Sequence, residues 1–76
     1  MATKTEELAD GCLSKVAEDE PVFVLRANDR LAPLVVMDWI AKAEMMGVPK
    51  EKIEGANDLL IKMWEWQGAN GSKLPD

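Results

Sequence analysis

"LAPLVVMDWIAKAEMMG", Leu31 to Gly47, is the stretch that decides how this chain folds. Its pattern predicts a helix over residues 33–46. At about 100° per residue, Val35, Val36, Trp39, Ile40, Ala43 and Met46 cover one broad face of it. Leu34, Met37, Ala41 and Met45 form a second apolar stripe on the opposite side, and only Asp38, Lys42 and Glu44 break up the remainder. A surface helix carries one apolar stripe, whereas one that is apolar nearly all round is covered on most sides. Two arrangements satisfy that demand. Either this helix lies between two others, or Leu34, Met37, Ala41 and Met45 form a self-association or partner surface, which is the sharper expectation. Methionines adapt to irregular surfaces and recur at binding faces.

Working outward, Gly47 and the following Val48-Pro49 end that helix, and a further helix is expected over residues 50–67, stopped by Gly68. Its stripe runs through Ile53, Ala56, Leu60 and Met63, with Leu59 beside it. Trp64 and Trp66 then fall on opposite shoulders of the stripe, so they cannot both stack on one small molecule. Each ring is expected at a boundary, half buried with its indole N–H near water, and Trp66 is the shoulder expected to stay exposed. The tail over residues 69–76 reads as frayed.

Upstream, residues 4–17 read as a first helix. Thr3 and Glu6 match a capping box, and Leu8, Ala9, Cys12, Leu13 and Val16 share a face. Gly11 within it costs about 1 kcal/mol against alanine. Pro21 ends that helix. Residues 21–25, "PVFVL", then read as a short strand-like segment between the first two helices. A lone strand has no partner, so it either packs as extended chain or pairs with its copy in another subunit. The expected fold is all-α: one domain, residues 1–76, of three helices and one extended segment.

Seventy-six residues bury only a modest core, and one cysteine cannot staple it, so oligomerisation is the remaining common route to more burial. With no histidine and no cysteine pair, the ordinary zinc, haem and iron–sulfur sites are not expected, nor any cofactor. No histidine or tyrosine stands ready to move a proton, and Cys12 has no histidine to activate it, so no enzyme is expected. The glycines match no phosphate-binding loop. "EDE" at residues 18–20 lacks calcium-loop spacing and reads as solvated surface. A net charge of −5 repels the phosphate backbone, so direct nucleic-acid binding is not expected. No apolar run is long enough for a membrane span or signal peptide, which makes the expected location cytoplasmic.

The most pointed polar group is "LRANDR", Leu25 to Arg30. Arg26 and Arg30 bracket Asn28 and Asp29 beside a helix N-terminus, where backbone N–H groups favour anions. Asn28 or Asp29 is the expected N-cap. The competing reading pairs the arginines with Glu18, Asp19 or Glu20.

Residues 18–67, from "DEPVFVLRANDRLAPLVVMDWIAKAEMMGVP" through "EKIEGANDLLIKMWEWQ", resemble small uncharacterised proteins of bacteriophages and bacterial genomes. These share a DEP-x-FVLRA-x-D-x-LAP pattern followed by V-x-x-W. The resemblance implies a phage or bacterial origin, with no catalytic or ligand residues attached; if the chain is phage-encoded, the expected cytoplasm is that of the bacterial host. The expected function is a small acidic, oligomeric interaction module. It would bind a protein partner, a host factor of defence or transcription if phage-encoded, through Leu34, Met37, Ala41, Met45 and Trp66. The alternative sequesters a small anion or nucleotide at a subunit interface through Arg26, Arg30 and Asn28, with Trp39, Trp64 or Trp66 stacking on a base. A third reading is a nucleic-acid mimic.

Overall fold

The computed structural model describes residues 12–74, and of Cys12 the backbone alone. Its framework is a hairpin of two helices, α1 from Ala32–Met45 and α2 from Lys50–Asn70. The turn between them is built at Gly47, whose φ of 75° lies in the left-handed region that an L side chain resists. The Val48 N–H donates to the Ala43 carbonyl at 3.0 Å and the Gly47 N–H to the Glu44 carbonyl at 3.4 Å. Those two bonds are the Schellman arrangement, which satisfies carbonyls that the helix end would otherwise orphan. Pro49 then leads into α2, whose early Glu51 suits the positive end of the helix dipole.

The core is one line of side chains from each helix. Ala32, Val36 and Ile40 of α1 meet Ala56, Leu60 and Met63 of α2, and Leu25, Ala27, Ile53 and Leu59 pack against the edge. Ala32 and Ala56 are fully buried. Small residues at these two points of the seam, with longer ones between them, suit interdigitated packing of two helices.

Two expectations are corrected. Three helices become two: residues 4–11 lie outside the described residues, and the described part of the expected first helix is a single 3₁₀ turn, Cys12–Lys15. Among the described residues that turn has no helix packed on it, and Leu13 is exposed. Short helices draw most of their stability from burying a face, and no helix covers the described turn. The strand-like segment 21–25 is no strand either, and no β-ladder exists among the described residues. Val22, Phe23 and Val24 are exposed, Phe23 to 85%. The β preference of such residues expresses packing on a half-buried pleated surface, and here no neighbouring strand supplies one.

The fray expected over residues 69–76 is corrected for residues 69–73, and residues 75 and 76 lie outside the described residues. α2 continues to Asn70, and Gly71, at φ 81° and ψ 177°, turns the chain back. Lys73 then forms an isolated parallel bridge with Asp29. Its N–H donates to the Asn28 carbonyl at 2.9 Å, and its carbonyl accepts the Arg30 N–H at 2.8 Å.

Candidate functional site: the outward faces of the hairpin

The N-terminus of α1 differs from the expected anion site. The N-cap is Leu31, with no side-chain cap. An N-cap side chain accepts from the second or third helical N–H. Here Pro33 occupies the second position and has no N–H to offer. Asp29 acts one step upstream, its Oδ1 accepting the Leu31 N–H at 2.8 Å. Asn28 is half-buried and contributes its carbonyl to Lys73. The Arg30 guanidinium donates to the Ser72 carbonyl at 3.1 Å and to its Oγ at 3.4 Å. Arg26 is exposed, and its side chain has no hydrogen bond or ion pair among the described residues. Arg30 is therefore a clasp on the returning chain. Neither arginine pairs with Glu18, Asp19 or Glu20 among the described residues, where the ion pairs are Lys42–Asp38 and Lys50–Glu54.

Gln67 completes this clasp, and sequence reasoning missed it. Its Nε2 donates to the carbonyls of Ala27 at 3.0 Å and Asp29 at 3.1 Å. Two carbonyl oxygens demand a two-donor group, which fixes the amide orientation. A glutamine four residues before a helix-ending glycine carries no distinctive signal, because its partners lie about forty residues away in the chain.

The apolar residues singled out on α1 separate sharply. Val36, Ile40 and Ala43 are buried, while Val35, Trp39 and Met46 of the same broad face stay exposed. The reason is width: a single neighbouring helix covers one line of side chains and not the flanks. Leu34, Met37, Ala41 and Met45 all face away from α2 and are exposed, Met45 to 85%. Trp64 and Trp66 lie outside the core cluster, at 48% and 51% exposure, so neither shoulder of α2 is closed.

Beside the C-terminus of α1, Trp39, Lys42, Ala43, Met46 and Val48 line an open notch of about 260 Å³. Its one charged group, Lys42, is held by Asp38 at 2.6 Å. Small-molecule pockets run from roughly 300 to 1,000 Å³ and enclose most of the ligand, with convergent polar groups. This open, apolar-walled notch suits an inserted side chain better. Among the described residues no group of three or more Cys, Asp or Glu side chains is arranged to hold a metal ion. No described helix is long and apolar enough to cross a membrane.

Comparison with protein-family models, with curated proteins and with solved structures gave no match.

Proposed function

We propose that this protein is a non-enzymatic acidic interaction module that works by burying the outward apolar faces of its helical hairpin against other protein surfaces. One observation carries the reading. Among the described residues fifteen large hydrophobic side chains are exposed, against seven buried hydrophobic residues. Single exposed apolar residues are ordinary, but a contiguous set marks an interaction surface. Leu34, Met37, Ala41 and Met45 on the back of α1 serve assembly of copies in this reading, and the α2 shoulder bearing Trp66 contacts the partner. Tryptophan is enriched among the residues that dominate binding energy. The phage resemblance would make that partner a host factor of defence or transcription, met in the bacterial cytoplasm.

The anion- or nucleotide-sequestering alternative draws less support from the geometry, because Ser72 engages Arg30 and leaves Arg26 as the free cation of the pair.

Light scattering at micromolar concentration tests the assembly, with an oligomer expected for the wild type. Met37→Glu combined with Met45→Glu is expected to give a monomer of unchanged helicity. Affinity capture from a bacterial lysate tests the partner. A protein retained by the wild type and lost with Trp66→Ala is the expected result. A monomeric wild type that retains nothing overturns the proposal.

A further inference from the structure

We infer that Asn70–Gly71 is a self-modification site, converting to aspartate or isoaspartate when the end of α2 opens and held unreactive while the Arg30 and Gln67 clasp is closed. Asn70 is the last residue of α2, and Gly71 follows it. The backbone nitrogen that follows an asparagine can attack that side chain's Cγ. A bond from nitrogen to Cγ then closes a succinimide ring, the Cγ–Nδ2 bond breaks, and the amide proton leaves with the departing ammonia. Water adds to either ring carbonyl and the carbon–nitrogen bond at that carbonyl breaks, which gives aspartate or isoaspartate. A Cβ on the following residue crowds the attacking nitrogen, and glycine has none. Of the three asparagines, Asn28 and Asn57 each precede an aspartate, and Asn70 precedes glycine.

The fold blocks each requirement of the attack. The Gly71 N–H donates to the Gln67 carbonyl at 2.8 Å, so the nucleophile is engaged. Asn70 Nδ2 donates to the Trp66 carbonyl at 3.1 Å. That bond draws the side chain back over the preceding turn, away from Gly71, the direction in which helix geometry already tilts each Cβ. Beyond Gly71 the chain is pinned by the Lys73 N–H on the Asn28 carbonyl and by the Arg30 guanidinium on Ser72. Asn70 is exposed, so water for the second step is at hand. Helix ends open at low free-energy cost, and opening of this last turn frees both reacting groups together. The product does not close again as before. Its carboxylate has lost the Nδ2 donor to Trp66 and stands at the negative end of the helix dipole. Isoaspartate also adds a backbone carbon before Gly71, which moves Ser72 and Lys73 out of register with Arg30 and Asn28. The modification thus releases the returning chain and frees the Arg30 guanidinium.

The test incubates the full chain at mildly alkaline pH, where the amide nitrogen gives up its proton most readily, in buffer and in guanidinium chloride. Peptide mass mapping with enzymatic labelling of isoaspartate follows the reaction. Conversion is expected at Asn70, with Asn28 and Asn57 intact, and slower in buffer than in denaturant by about tenfold or more. Arg30→Ala and Gln67→Ala are each expected to raise the rate in buffer and leave the rate in denaturant unchanged, with circular dichroism confirming that the helices remain. Hydrogen exchange at the Lys73 amide, protected in the unmodified chain, is expected to become fast once residue 70 has converted. Equal rates in buffer and denaturant, conversion first at Asn28 or Asn57, or no conversion in denaturant overturns the inference. So does a rate in buffer that neither variant changes, and a modified chain that keeps Lys73 protected overturns the release.

Discussion

Gly71 and Gly47 show how single residues set the path of this chain. Gly47 has φ 75° and Gly71 has φ 81°, and a Cβ built at either position meets nothing within 4 Å. The cost of a side chain there is therefore backbone conformation alone. Gly47→Ala enters the left-handed helical region and is expected to lose about 1–2 kcal/mol. Gly71, with ψ at 177°, sits in a region that is essentially glycine-only, so Gly71→Ala is expected to lose up to about 3 kcal/mol. Urea titration monitored by circular dichroism checks both; a larger loss at Gly47 would contradict the assignment. At Gln67 the two bonds to Ala27 and Asp29 make a different prediction. Gln67→Ala is expected to cost about 1–3 kcal/mol, because it leaves the partly buried Ala27 carbonyl unpaired, while the Asp29 carbonyl keeps the Ala32 N–H at 3.0 Å. Gln67→Glu sets a carboxylate against those carbonyls at neutral pH. The folded state then binds the proton more readily than the unfolded state, so stability is expected to return as pH falls. Wild type measured alongside supplies the baseline, and a variant that loses its deficit on raising the pH would contradict the geometry.

At the scale of elements, periodicity was enough to find both helices of the hairpin. The end of α1 was legible because Gly47 is a local signal for a local conformation. The N-cap was not, because the helix begins after Leu31, whose side chain has no acceptor, and Asp29 closes a turn upstream of it instead. Residues 21–25 failed as a strand for a non-local reason: β-rich composition makes a strand only where another strand supplies hydrogen bonds. Their exposure makes a prediction. In a monomeric background such as Met37→Glu with Met45→Glu, Phe23→Ser is expected to change stability by less than about 0.5 kcal/mol. Urea unfolding measures this, and a loss well above that value would place Phe23 in a buried contact of the single chain. Leu60, in contrast, sits in the core line of α2. Leu60→Ala is expected to cost about 2–5 kcal/mol in the same assay.

For the whole molecule, the balance between buried and exposed apolar surface is the central fact. One hairpin interface covers one line per helix, so stability in isolation is expected to be marginal for a chain of this size. If copies assemble through α1, the unfolding midpoint is expected to rise with protein concentration, since association stabilises the folded form by mass action. A midpoint independent of concentration would count against assembly. The sequence by itself determined the all-α class, both helices of the hairpin and the apolar stripes of α1 and α2, because helix periodicity and turn glycines are encoded within a few residues. It also determined the placement of Trp64 and Trp66 on opposite shoulders, which follows from helix geometry alone. Only the tertiary structure decided which apolar residues are buried. It left Trp39 and Met46 in the open while burying Ile40 and Ala43, made Arg30 a clasp for Ser72, and tied Lys73 to Asn28. Those outcomes depend on which distant segments of the chain meet, and a local pattern carries no information about such meetings.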